Sequence, residues 1–214
     1  METDKKLVNL FVLSIGVIMA TEMMGHLLIS FGKWPSIGCI GVIRTVQIIC
    51  MLGLVHGCEK GGGRMGLALD QSLQGIKRGV IWSAVFGGIA FAALGIMWAA
   101  DMCPFNMFHT RFPSDKRLLI LYFMVGGCIG PVAEEIFFRG IVYRFFRQWG
   151  ILMGVSVSTL VFVALHGLTG IPVTQIVGGV IFALSYEKEK NLYVPIIIHV
   201  SGNISIFLLS LLSS

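Results

Sequence analysis

Residues 118–146 read LLILYFMVGGCIGPVAEEIFFRGIVYRFF, and this stretch decides the fold. Residues 118–130 are apolar and rich in glycine, and the whole run is long enough to cross a hydrocarbon core, which takes roughly 20 apolar residues. Pro131 then removes a backbone donor, so the reading expects a kink whose freed carbonyls need new partners. After Val132 come Ala133-Glu134-Glu135-Ile136-Phe137-Phe138-Arg139-Gly140. Three ionisable groups therefore stand at membrane depth on one helix.

The rest of the chain agrees with a membrane setting. Of 214 residues, 56% are hydrophobic before the 27 glycines are added, and only 13% are charged. A soluble domain carries about 25% charged residues. Apolar runs near 7–31, 36–57, 79–100, 118–146, 150–167, 171–186 and 191–212 predict an all-α polytopic transmembrane bundle of about seven helices. Residues 1–214 read as a single integral membrane domain with no room for a separate soluble one. Long unbroken runs argue against a β-barrel, whose strands alternate over about ten residues. The first run, Leu7 to Phe31, reads as a retained helix without a clear small-x-small cleavage site.

Charge supplies an orientation. With the N-terminus in the cytoplasm, Lys5, Lys6, Lys60, Arg64, Lys77, Arg78, Arg144, Arg147, Lys188 and Lys190 fall inside. Lys33, Arg111, Lys116 and Arg117 fall outside, so the positive-inside rule favours a cytoplasmic N-terminus. The formal charge of +5 is thus an orientation signal, and no basic run with interleaved aromatics suggests nucleic acid. Cys39, Cys50, Cys58, Cys103 and Cys128 are scattered, with no CxxC spacing and no disulfide framework. The loop 59–78 carries a triple glycine, and LALDQSLQGI within it is a candidate short surface helix. Trp34, Trp82, Trp98 and Trp149 lie near span ends as an aromatic belt does. His56 and His109 read as exposed. Glu22 and His26 are four apart in the first span, and Arg44 in the second has Glu22 as its candidate partner.

The chemistry concentrates in 131–203. A charge at the bilayer centre costs about 2.5–3.5 kcal/mol on insertion scales, so Glu134 and Glu135 must be paired, protonated or wet. Glu135 and Arg139 are four apart and share a helix face. Glu134 lies about 100° around the helix and is left over, which suits a general base or acid. His166 ends the fifth run in Phe162-Val163-Ala164-Leu165-His166. His199 and Asn203 are four apart in the seventh, in His199-Val200-Ser201-Gly202-Asn203. Each has a plain structural alternative: a buried ion pair, an interfacial histidine, interhelical glue. Together they are a set of parts for peptide hydrolysis by activated water, with an oxyanion site and no acyl-enzyme. The same side chains are possible zinc ligands, but there is no HExxH, and a cation would compete with Arg139. The reading therefore expects no metal and no cofactor.

These motifs resemble those of the CAAX protease and bacteriocin-processing family, also called CPBP or Abi. EEIFFR at 134–139 looks like its EExxxR, FVALH at 162–166 its FxxxH, and HVSGN at 199–203 its HxxxN. The resemblance implies a glutamate-dependent, metal-independent intramembrane endopeptidase. Glu134 would be the base, with His166 orienting or activating the water. Glu135 and Arg139 would support them, and His199 with Asn203 would form the oxyanion site. The substrate would be a membrane-anchored or membrane-adjacent protein or peptide, cut at a C-terminal sorting signal, leader peptide or CAAX-like tail. The setting would be the bilayer of a bacterial cytoplasmic (inner) membrane. The rival readings are a non-catalytic partner-binding or bacteriocin-immunity protein, and a zinc-dependent membrane protease.

One difficulty attends this reading. Counted from the inner ends of their spans, Glu134, His199 and His166 fall at depths of about 15, 12 and 24 Å. Those depths do not meet, so either the fifth helix is displaced or the boundaries are wrong.

Overall fold

The computed structural model describes residues 2–32, 35–59, 65–102, 110–166 and 172–212. Lys33, Trp34, Lys60, Arg64, Cys103, His109 and the triple glycine at 61–63 lie outside the described residues. Among those described, seven helices follow one another and no strand occurs. They are α1 Glu2–Ser30, α2 Ser36–Glu59, α3 Ser72–Ala99, α4 Lys116–Arg147, α5 Ile151–Leu165, α6 Val173–Glu189 and α7 Tyr193–Leu212. The all-α membrane bundle expected from the runs is therefore what forms. Five helices are long and apolar enough to cross a membrane, whereas α5 has 15 residues and α6 has 17.

Helix α4 is the hub. It packs against α1, α2, α5, α6 and α7, and its stretch Ile136–Tyr143 is buried throughout. Asp115 starts it by accepting from the backbone N–H groups of Arg117 (2.7 Å) and Leu118 (3.2 Å), which satisfies donors that have no partner within the first turn. Pro131 does not interrupt α4. A π turn, Val125–Ile129, precedes it, with Gly130 N–H bonding Val125 O five residues back. A second π turn covers Phe138–Tyr143. Widening the helix relieves the contact between a proline ring and the carbonyl four residues earlier, and it turns side chains to a new register.

Helix α3 is the outlier. It packs on α7 and leaves Val80, Ile81, Val85, Ile89, Phe91 and Ile96 exposed, as suits a lipid-facing helix. Its close seat depends on Gly79, where a Cβ would stand 2.7 Å from Ile197 Cβ.

The 59–78 segment differs from the expected loop with a surface helix. Leu69–Gln71 is a single 3-10 turn and Ser72 already opens α3. Residues 65–71 are stitched over the α6–α7 turn: Leu192 N–H donates to Gly66 O (3.2 Å), the Asn191 amide to Gln71 O (3.1 Å) and the Tyr193 hydroxyl to Leu67 O (3.3 Å). Met65 and Leu192 are fully buried there, so the side chains of this segment add to the core rather than cover it.

Candidate active site

The depths now meet, for two structural reasons. Helices α4 and α5 share the turn at 148–150, and Glu134 and His166 lie about 20 and 22 Å from it along their helices. Helix α7 is brought to the same level by the contact of His199 Nδ1 with Glu135 Oε1. Each motif therefore reaches one level of the bundle.

The two adjacent glutamates have opposite surroundings. Glu135 is fully buried, and its Oε1 accepts from Arg139 Nη1 (2.9 Å) and from His199 Nδ1 (2.8 Å). Arg139 is equally buried, and its Nη2 donates to Gly179 O on α6 (3.2 Å). Three rings surround the guanidinium, Phe162 at 4.9 Å, Phe182 at 5.1 Å and Phe138 at 5.7 Å. A buried ion pair holds only if its charge is hydrogen-bonded and enclosed; here the enclosure comes from four helices, and Glu135 Oε1, Arg139 Nη1 and Arg139 Nη2 are hydrogen-bonded. Among the described residues, Glu135 Oε2 and Arg139 Nε have no protein hydrogen-bond partner.

Glu134 faces the other way. Its side chain keeps 19% exposure, and its Oε2 stands 3.6 Å from His166 Nε2 and 3.7 Å from His199 Nε2. These separations are ion-pair distances, longer than a good hydrogen bond. The other face of each ring is assigned. His166 Nδ1 lies 2.8 Å from Phe162 O, a carbonyl that can only accept, so Nδ1 carries a proton. His199 Nδ1 donates to Glu135 in the same way. Both Nε2 atoms are thereby turned to Glu134. Phe182 stacks on His199 at 4.6 Å and 20°, which fixes the plane of that ring.

Five of the six expected site residues converge: Glu134, Glu135, Arg139, His166 and His199. Asn203 is engaged differently. Its Nδ2 donates to Gly126 O (2.9 Å), a carbonyl within the first π turn of α4, so one N–H braces α7 on α4 and one remains. Among the described residues, no group of three or more His, Cys, Asp or Glu is placed to hold a metal ion.

The sequence reading missed Phe182 and Gly179, and it saw Phe162 only as part of a motif. Phe162 could have been found, since it sits one turn before His166. Gly179 belongs to the pair Gly178-Gly179 in an apolar helix, a signal of close helix approach. A Cβ there would lie 2.7 Å from Thr159 Cγ2 on α5. Phe182 has no local signal at all. Elsewhere, Arg44 does find Glu22 (2.6 Å), and Gln47 completes that cluster by donating to Glu22 (3.0 Å) and Thr21 (2.9 Å).

Residues 116–205 match the family model described as Rce1-like, type II CAAX prenyl endopeptidase. An uncharacterized 24.3 kDa protein of Escherichia coli is 25% identical over 132 residues, covering 58% of this chain and 61% of that protein. The Bacillus subtilis protein described as putative membrane peptidase YdiL is 26% identical over 183 residues, 84% of this chain and 72% of its own length. The membrane-embedded CAAX protease MroQ of Staphylococcus aureus is 34% identical over 115 residues, 47% of this chain and 46% of its own. The chain thus spans less than two thirds of the first and third of these relatives. No solved structure matches it.

Proposed function

We propose, from the premise that residues 116–205 belong to the Rce1-like family of CAAX proteases, that this chain is an intramembrane endopeptidase acting by activated water. One observation carries the reading: of two adjacent glutamates, one is consumed by Arg139 and His199, and the other has its Oε2 3.6–3.7 Å from two imidazoles.

Glu134 Oε2 and His166 Nε2 hold the nucleophilic water between them. Glu134 takes one of its protons, and the hydroxyl adds to the carbonyl carbon of the scissile amide. The oxyanion forms beside His199 Nε2–H, with the ring carrying both protons, and beside the second N–H of Asn203. Glu134 then passes its proton to the amide nitrogen as the C–N bond breaks, so water is consumed and no acyl-enzyme forms. Glu135 and Arg139 touch no reacting atom. They hold the His199 ring, and the rings of Phe162 and Phe182 hold Arg139. The substrate is a membrane-anchored or membrane-adjacent peptide of the kind cut at a C-terminal sorting signal, leader or CAAX-like tail. The N-terminus faces the cytoplasm of a bacterial inner membrane.

The test is a comparison of cells carrying the wild-type chain or Glu134→Gln, with membrane peptides profiled for a species that accumulates uncut. In purified bilayer-embedded protein, cleavage of that species should fall by about 10³-fold in Glu134→Gln, within the usual 10²–10⁴ for a general base. Activity should persist in 1,10-phenanthroline. Wild-type cleavage by Glu134→Gln would overturn the mechanism. Loss of activity in chelator, restored by zinc, would move it to a metal held through Glu134, His166 and His199.

A further inference from the structure

A second concave feature lies away from the chemistry, where α3 passes the C-terminal end of α6. The groove has a volume of about 440 Å³ and is lined by Arg78, Ile81, Trp82, Val85 and Phe86 of α3 with Lys188 and Glu189 of α6. The α3 residues sit at i, i+3, i+4, i+7 and i+8, so they form one stripe about 12 Å long. The stripe is polar at one end and apolar at the other.

The polar end is arranged to spare positive charge. Glu189 is largely buried and is engaged twice, by Arg78 and by the Trp82 indole N–H (3.1 Å). Its charge is met within the protein. The Lys188 ammonium lies 5.4 Å from the centre of the Trp82 ring, and Glu189, the carboxylate it acts on through space, is already held by Arg78 and Trp82. Arg78 keeps half of its side chain exposed, and Lys77 is its neighbour. With one acid, Glu189, against Arg78 and Lys188, the lining of the groove is net cationic. Towards the other end, Ile81 is 63% exposed and Val85 55%, and Phe86 stacks on Trp82 at 5.5 Å. On a membrane-spanning helix that wall faces acyl chains.

We infer that this groove between α3 and the end of α6 binds an anionic phospholipid, its phosphate on Lys188 and Arg78 and one acyl chain along Ile81, Val85 and Phe86. Charge complementarity selects the headgroup, as in basic recesses between membrane helices generally. A choline headgroup is disfavoured because the aromatic face that would receive a quaternary ammonium is already covered by Lys188. The volume suits part of one lipid rather than a packed helix. The site is independent of the reaction assigned to Glu134, and either can fail without the other.

Trp82 is its own reporter. The full chain with Trp34, Trp98 and Trp149 replaced by Phe is placed in phosphatidylcholine vesicles containing rising fractions of dibrominated phosphatidylglycerol or, in parallel, dibrominated phosphatidylcholine. Bromine quenches an indole only in near contact. Half-maximal quenching should occur at about fivefold less phosphatidylglycerol than phosphatidylcholine, the preference one basic side chain supplies. Lys188→Gln should bring the two curves together, and Lys188→Arg should keep them apart. Each variant's quenching by phosphatidylcholine shows that α3 remains lipid-embedded. Coincident curves for the starting protein would overturn the proposal. So would a preference unchanged in Lys188→Gln. Trp82 emission that follows protein density in the bilayer rather than lipid type would mean that a second copy fills the groove, and would overturn it equally.

Discussion

Two of the Glu–Arg pairs in this bundle, Glu22–Arg44 and Glu135–Arg139, differ in what surrounds them. Between α1 and α2, Glu22 and Arg44 meet at 2.6 Å and share Gln47 and Thr21, while their side chains keep 42% and 27% exposure. That cluster closes on itself with one acid, one base and two neutral groups. Within α4, Glu135 and Arg139 are fully enclosed, yet a second acid and two imidazoles stand beside them. An ion pair alone is sufficient explanation for polar residues in a helix bundle. An acid left over after the pairing is not, because nothing structural is gained by keeping it there. The difference separates glue from chemistry better than the presence of buried charge does.

The widest separation expected between the two regions is kinetic. Glu134→Gln should cost about 10³ in cleavage rate while Glu22→Gln leaves the rate within a few fold, measured on the same membrane peptide. Equal losses would erase the distinction. Next in size is Arg139→Ala, which strands Glu135 in a closed interior and should cost about 3–5 kcal/mol, seen as early thermal unfolding in detergent together with loss of activity. Gly179→Ala sharpens the comparison by testing the enclosure rather than the charge. Its Cβ would press on Thr159 and shift the carbonyl that Arg139 uses, for about 1–3 kcal/mol of stability and a measurable loss of rate. Smallest is Arg44→Gln, which should lower stability by about 1 kcal/mol, in the range of interhelical polar contacts in membranes, with no effect on rate.

Much of this was legible in the chain. The spacing of Glu135 and Arg139 made them partners on any helix, and the cost of Arg44 in lipid pointed to Glu22 before any coordinates. The identity of the free glutamate followed by subtraction. What was not legible is long-range. His199 lies 64 residues from the acid that holds it, and nothing local distinguishes Glu135 from Glu134 as its partner. At Pro131 the helix continues, and a π turn at Val125–Ile129 precedes it. That widening contributes Gly126 O to Asn203, an engagement no spacing rule supplies.

By itself the amino-acid sequence determined the membrane setting, the helical class and the inventory of ionisable groups. Hydrophobic runs, helical period and the expense of charge in hydrocarbon are local properties, and local properties can be read in one dimension. Which imidazole nitrogen faces which carboxylate, how deep each motif sits and which rings enclose Arg139 were decided only when α4, α5, α6 and α7 packed together. Those quantities depend on tilts, shared turns and close glycine contacts between segments far apart in the chain, and their energies arise from packing rather than from the residues one at a time.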